Sequence, residues 1–542
     1  MRLAGLIDNM EKRRKERIAE LYMALSSVQP TLIDVANVEA KWRVPLDDLG
    51  KQRDAGLLEK FNGTHGYLTW YFTVTEKNDT RRRPIFWACD YLASSGYVSD
   101  FGLDTCAEYT QVVTQGSYAA AFDLKASYTQ IELPDEVNFI VVGEDGELYR
   151  LKRLPYGVDA AAEIMQIVTE EMARLSAAAL PDSSRFVTKA HIDNALGVGQ
   201  TVDDVTAWAR EFSRLAEVHG ITLNDEPCNT PSQALDFVGI DMDFKGKMVR
   251  LRERFIKGLP TVSEALRTYQ DLESAVGKIL YGMAVLHIRQ HPYHFFIKTW
   301  RRKLARLNRP ADDPSRLRWR DEPDLSPNAR NALERMLKVV KDNKWAPVYP
   351  LRTALKSDLF GKTGSEKFFQ DLPIIVTDAT LDSFGAVLYE NGRITQAFGG
   401  RFDATAPSMA VAESAAALAA IARFADRIRN TTFVLLVDNT TTEISIARGH
   451  AKNLSIDLAV DLIDGILRDI HAKVLVSRVA SGDNVADAPS RAKPLKDICI
   501  QKSLEAAEHA VEALKRTSVG DQVVRRARQA QARGGVGRGN VR

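Results

Sequence analysis

The sequence predicts a multidomain protein of mixed α+β and α/β class, and three observations carry that expectation. Its 542 residues exceed the ~100–200 residues of a single domain. Two stretches, Tyr67 to about Leu251 and Pro373 to about Ser477, alternate short β-type runs with helical spacing. Between them, residues 262–345 are mostly helical in pattern, with Trp and Arg scattered through them.

Hydrophobic residues are 45% and charged residues 27% of the chain, ordinary values for a globular protein. No apolar run approaches the ~18–20 residues of a membrane span, and residues 1–30 lack a signal-peptide core. The expectation is an intracellular protein of cytoplasm or nucleus, not secreted and without a membrane partner. Cys89, Cys106, Cys228 and Cys499 lie far apart with no C-x-x-C pair, which argues against a disulfide framework and a thiolate zinc site. Net charge is only +2, so nucleic-acid binding has to be read from distribution. Residues 12–17, 298–306 and the Arg/Gly-rich end after Asp521 are basic clusters. Each suits a phosphate backbone, and each equally suits a solvated helix face or loose tail.

Taken in order, residues 1–28 read as an amphipathic helix and 29–60 as a polar, partly helical lead-in. Trp70–Thr75 reads as a strand followed by a turn over 77–81, and Ala120–Leu124 as another strand. Residues 158–178 have helical spacing, 185–193 read as a strand, and a helix over 202–219 stops at Gly220. Residues 236–251 read as a hairpin turning at Lys245-Gly246. Residues 346–370 read as a polar linker. Strands over 373–379 and 384–390 follow, then the Asn391-Gly392 turn and a third strand. An Ala-rich helix (408–426), a strand (433–438), a long helical stretch and a strand from Lys473 complete the second region. The His287, His291, His294 group around Pro292 fits no helical face well and reads as structural rather than metal-binding. Residues 501–515 form an amphipathic helix that reads as packing.

Four acids of the second region stand at privileged points. Asp378 and Asp438 end strands, Glu413 interrupts an otherwise small, apolar helix, and Asp487 lies in Asn484-Val-Ala-Asp-Ala-Pro-Ser-Arg. Acids at strand ends can converge on one sheet edge, and a carboxylate among alanines needs a partner. Converging carboxylates suit hard divalent cations, two of which, ~3.5–4 Å apart, can activate a water and stabilise a leaving phosphodiester oxygen.

On Thr377-Asp-Ala-Thr, Ala412-Glu413, Val437-Asp-Asn-Thr and the block around Asp487, residues 370–492 resemble the ribonuclease H domain of retroelement reverse transcriptases. The resemblance implies that Asp378, Glu413, Asp438 and Asp487 are catalytic metal ligands. Where that family usually carries a His before its last block, this chain has Ser481-Gly-Asp-Asn.

The first region has its own match. Phe122-Asp-Leu-Lys-Ala-Ser-Tyr is similar to the first palm motif of reverse transcriptases, with Asp123 as metal ligand and Tyr128 as the ring that meets a ribose 2′-OH. Arg153-Leu-Pro-Tyr-Gly resembles the motif in which Tyr156 and Gly157 approach template and nucleotide. Phe72 to Lys77 and Arg81 to Ile85 resemble the fingers, where Lys77 and Arg83 would grip a triphosphate. The third palm motif departs from the family: His191-Ile-Asp193-Asn194 stands for aromatic-x-Asp-Asp. Asp193 keeps the first acid, and Asn194 removes one charge beside the metals.

The resemblance therefore implies a right-hand polymerase followed by a ribonuclease H-like α/β domain, using two Mg²⁺ or Mn²⁺ ions per active site. Its partners would be an RNA template, a DNA primer, an RNA–DNA hybrid and dNTPs, with protein partners unknown. Expected domains are a helical lead-in (1–60), fingers and palm (61–255), thumb and connection (256–365), nuclease (366–495), and a helix plus flexible tail (496–542). Leu280-Tyr-Gly-Met…Arg289 with His-Ile-Asp-Asn is similar to the VIPER/DIRS retrotransposon group. Two alternatives stay open at this stage: a ribonuclease H only, or a domesticated nucleic-acid-binding scaffold with an impaired polymerase.

Overall fold

A computed structural model describes residues 3–27, 29–75, 82–88, 91, 101–155, 158–181, 186–224, 229–348 and 372–516. The chain forms two compact units, the first from residues 1–103 and 112–247, the second from 104–111 and 248–542.

In the first unit, Asn194–Gly199 is the central strand of a three-stranded antiparallel sheet, flanked by Tyr118–Asp123 and Val187–His191. Helices Asp159–Ala178 and Val202–Val218 cover it. Phe122 stacks on Phe212 at 4.6 Å between ring centroids, and both rings meet the fully buried Trp208. This aromatic cluster anchors the strand that ends at Asp123. The Trp70–Thr75 strand pairs with Arg82–Trp87 in the register Trp70 to Trp87. The turn expected between them lies outside the described residues. The single helix expected over 1–28 is two, Leu3–Asp8 and Lys12–Ser26. The basic run at 12–17 is partly consumed inside the unit. Arg14 pairs with Glu170 at 2.9 Å and Glu171 at 2.7 Å, and Arg17 with the buried Glu163 at 2.6 Å. Two of its charges are therefore spent on carboxylates that would be costly to bury alone. The hairpin expected to turn at Lys245-Gly246 is present, with Ile240–Asp243 beside Met248–Leu251. A further turn at Val238 and Gly239, both at positive φ, adds Ala234–Phe237 to the same sheet.

In the second unit, helices Tyr269–Val285, His294–Leu307 and Pro327–Lys341 bear out the helical pattern. Beyond them lies a five-stranded sheet ordered Arg393–Arg401, Ser383–Glu390, Ile374–Ala379, Thr432–Val437, Lys473–Arg478. The first three strands are antiparallel and the last three run parallel. Asn391 (φ 52°) and Gly392 (φ 71°) turn the first hairpin, as a primed two-residue turn requires. Alternate residues feed two cores, as the period of a strand dictates. Ile375, Leu435 and Val437 meet Ile421, Phe424 and Ile463 from helices Met409–Arg423 and Leu454–Asp469. Ile374, Val376, Val434 and Leu436 meet Cys499, Ala507 and Val511 of helix Asp497–Arg516. The long helical stretch after Asp438 is two helices, Thr440–Arg448 and Leu454–Asp469, separated where Gly449 takes φ 74°. Among the described residues no helix is long and apolar enough to cross a membrane.

Candidate metal centre and catalytic carboxylates

Strands Ile374–Ala379 and Thr432–Val437 are parallel neighbours, with Val376 opposite Leu436. Asp378 and Asp438 each stand two residues beyond that pair, so both acids reach the same sheet edge. Glu413, in the second turn of helix Met409–Arg423, reaches the same point: its Oε1 accepts from the Ala379 N–H at 3.1 Å. One carboxylate oxygen from each of the three lies within 4.8 Å of the others. Asp378 is 4% exposed and Glu413 1%.

Asp378 accepts from Ser490 Oγ at 2.5 Å and Asn484 Nδ2 at 3.4 Å, and Asp438 from Ser481 Oγ at 2.9 Å. Glu413 Oε2 is buried with no hydrogen-bond donor among the described residues. Burial pushes the Glu413 carboxyl up to about 9, reinforced by the charges of Asp438 and Asp378 and opposed by the Ala379 N–H. Asp378 rises to about 6, from burial first and the nearby Asp438 and Asp487, against the Ser490 hydrogen bond. Three acids forced together without a cation repel one another, and the Glu413 carboxyl answers by keeping its proton, which it can offer to Asp438. The donor set is all oxygen and anionic, which suits Mg²⁺ or Mn²⁺.

That repulsion has a thermodynamic sign. Glu413 keeps its proton in the fold above the pH at which the unfolded chain loses it, so stability is full at pH below about 4.5 and drains away towards about 9. In EDTA, Tm is expected to fall across this range. Glu413→Gln, isosteric and able to donate to its carboxylate neighbours, is expected to gain about 1–2 kcal/mol at pH 8, or roughly 3–8 °C. The same variant loses the Tm increase that Mg²⁺ gives the parent. Thermal melts across pH, with EDTA and with Mg²⁺, read both effects. An unchanged variant would remove Glu413 from the repelling set.

Asp487 does not join the trio in the same way. It opens the short helix Asp487–Ser490, and its carboxylate accepts from Arg491 at 2.6 Å, although its charge still acts on Asp378. Glycines bring this helix onto the sheet. A Cβ at Gly399 would stand 2.1 Å from the Pro489 carbonyl oxygen, and one at Gly385 would stand 2.3 Å from the Ser490 nitrogen. Sequence reasoning missed Ser490 and Asn484 as supports of Asp378. It noted Ser481 only as a substitution, and the structure gives that hydroxyl a contact with Asp438.

In the first unit, the three-stranded sheet gathers Asp123, Asp193 and Asn194 at one end. Asn194 lies opposite Asp123 on one side and His191 on the other. Ile192 and Asp193 make the turn between the strands, with Ile192 at φ 57°, a strained position for a β-branched residue. Gln166 holds that turn, accepting from the Ile192 N–H at 2.5 Å and donating to the Ala190 carbonyl at 3.2 Å. Asp193 accepts from Ser127 Oγ at 3.0 Å and from Asn194 Nδ2 at 2.9 Å. Asp123 accepts from Asn224 Nδ2. Gln166, Ser127 and Asn224 carried no signal in the sequence, because each acts across 26 to 101 positions.

Solved structures of a foamy viral protease-reverse transcriptase are among those that resemble the chain. The form with dsDNA matches with TM-score 0.46 and 11% identity, over 88% of this chain and 96% of that one. A dRH form with dsDNA matches with TM-score 0.46 and 11% identity, over 88% and 81%. The form with an RNA/DNA hybrid gives TM-score 0.42 and 11% identity, over 88% and 62%. No protein-family model matches the chain, and no curated protein does.

Other expected site residues fall as follows. Tyr128 lies in the 3₁₀ turn Ser127–Gln130, half-buried beside the first core. Arg83 lies in the Arg82–Trp87 strand opposite Val74. Lys77, Tyr156 and Gly157 lie outside the described residues, as does the Arg/Gly-rich tail. The three histidines do not form a metal set. His291 Nδ1 and His294 Nδ1 both reach Asp457 Oδ2, at 3.0 and 3.2 Å, while burial holds His287 down to about 4.

Proposed function

We propose that the chain is an RNA-directed DNA polymerase with ribonuclease H activity, from a retroelement of the VIPER/DIRS kind. The observation that carries the nuclease half is the convergence of Asp378, Glu413 and Asp438, with an orphaned buried oxygen and two carboxyls pushed up. Two Mg²⁺ or Mn²⁺ ions held there would neutralise the scissile phosphate and lower the pKa of an attacking water. This chain's own residues do the rest. Asp378 and Asp438 project from adjacent strand ends, and Glu413 closes the third side from its helix. Ser490 and Asn484 fix the Asp378 rotamer, Ser481 fixes Asp438, and Asp487 adds negative potential from the side.

The polymerase half is supported by Asp123 and Asp193 at one end of a sheet whose hairpin turn is strained and braced. In this reading fingers and palm occupy 61–255, thumb and connection 256–365, and the nuclease 366–495. Lys77 and Arg83 hold the triphosphate, Tyr128 meets the sugar, and Tyr156 and Gly157 lie along template and nucleotide. One observation favours the nuclease-only alternative: Asp193 accepts from both Ser127 and Asn194, whereas at the nuclease edge Glu413 Oε2 is buried without a hydrogen-bond partner among the described residues. Primer extension on an RNA template, scored beside cleavage of the RNA strand in a hybrid, with Mg²⁺ and with Mn²⁺, tests both halves. Both activities are expected. Cleavage without extension under either ion leaves the nuclease alone, and absence of both leaves a nucleic-acid scaffold.

A further inference from the structure

Of the basic clusters, the one at 298–306 lines a cavity within the second unit that lies outside both carboxylate sets. Helix His294–Leu307 and the segment 450–452 line this open-mouthed cavity of about 270 Å³. Ile297, Ala305 and Ala451 give it apolar walls, and Lys298, Arg301, Arg302 and Lys452 surround it with cations. Among the described residues, none of these four stands in an ion pair with a carboxylate, unlike Arg14 and Arg17 of the N-terminal run.

The single acid lining the cavity is already consumed. Asp457 accepts from His291 and His294 on Oδ2 and from the Ala451 N–H at 2.7 Å on Oδ1. A carboxylate only accepts, so both imidazoles carry their proton on Nδ1. His294, 6% exposed, then keeps Nε2 without a hydrogen-bond partner among the described residues. The cavity thus combines excess positive charge, spent negative charge and a small apolar interior.

We propose that this cavity is a phosphodiester-backbone subsite: one phosphate lies among Lys298, Arg301, Arg302 and Lys452 while its sugar rests on Ile297 and Ala305. Guanidinium groups suit phosphate oxygens through paired N–H donors. The subsite binds backbone without reading bases, so it serves any sequence. It goes beyond the proposed activities and does not depend on either carboxylate set.

The test uses the full chain in EDTA, where no cleavage occurs, with fluorescein-labelled oligothymidylate and an RNA–DNA hybrid of the same length as probes. Anisotropy titrations over a salt series give affinity and its salt slope. Arg301→Glu with Arg302→Glu is expected to weaken binding at least about tenfold and to flatten the slope by about 1.4–1.8, the loss of two phosphate contacts. A control pair on the same unit outside the cavity, Arg330→Glu with Lys344→Glu, is expected to change affinity less than about threefold. Ala305→Trp fills the cavity without altering charge and is expected to cost about fivefold. Loss confined to one probe identifies whether single strand or hybrid is the source of the phosphate. Equal losses in the cavity pair and the control pair would reduce the effect to bulk charge and overturn the proposal. So would full affinity in Ala305→Trp. Failure of the nuclease or polymerase assignment leaves these titrations unchanged, so the two failures are distinguishable.

Discussion

Asp378→Asn and Asp438→Asn are each expected to abolish cleavage of the RNA strand in an RNA–DNA hybrid, by roughly a thousandfold or more, about 4 kcal/mol of barrier. Hybrid affinity in EDTA is expected to stay within about threefold, because neither acid needs to touch the backbone for binding. The size of the effect follows from geometry. The two carboxylates reach one edge from parallel strands, and the third, Glu413, is committed on Oε1 to Ala379, so no described acid can replace either. The amide keeps shape and keeps the Ser490 and Ser481 contacts through its oxygen, which makes misfolding a poor explanation for the loss. The measurement is single-turnover cleavage across a Mg²⁺ titration, with thermal melts alongside. A Tm equal to or above the parent in EDTA, together with lost cleavage, is the expected pair. Cleavage retained by both variants would disprove the carboxylate assignment.

Opposite outcomes are expected at Asp193, in the strained turn, and at Asn194, the strand residue that follows it. Asp193→Asn destroys nucleotide addition, since among the described residues of that sheet end Asp123 would then be left to offer a carboxylate. Asn194→Asp raises the rate roughly ten- to hundredfold, about 1.4–2.7 kcal/mol, once cation is saturating. The reason is that Asn194 stands directly opposite Asp123 in the ladder and beside Asp193, so a new charge there adds to the same field. Its cost is equally concrete. Asn194 Nδ2 is one of two donors to Asp193, and Asn194→Asp trades that donor for a like charge. Without cation the variant is therefore expected to melt lower than the parent, and with Mg²⁺ the difference should close. Single-nucleotide addition over a Mg²⁺ series, with melts in EDTA and in Mg²⁺, separates field from folding. Extension by Asp193→Asn at the parent rate would sink the polymerase assignment. If Asn194→Asp melts lower without cation and never gains rate with it, the turn has adapted to a neutral side chain.

By itself the sequence determined the local features whose causes are local. Strand Ile374–Ala379, the Asn391-Gly392 turn and helix Asp159–Ala178 follow from residue periodicity and turn chemistry. The acids were also legible one at a time, because Asp378 and Asp438 interrupt apolar runs at their ends and Glu413 interrupts an alanine helix. Tertiary structure alone decided whether they meet. Two strand ends share an edge only if the strands are parallel neighbours, and that pairing joins residues about 60 positions apart. The same limit explains what was missed. Ser490 reaches Asp378 across 112 positions and Gln166 reaches Ile192 across 26, distances over which no periodic signal survives. Charge runs illustrate the point from the other side. Residues 12–17 and 298–306 read alike as basic clusters, yet arginines of the first pair with buried glutamates while the second surrounds a cavity without an ion pair at Lys298, Arg301 or Arg302 among the described residues. Composition fixes how many charges a segment carries; only the folded chain fixes which of them remain available, because burial makes an unpaired acid claim the nearest cation.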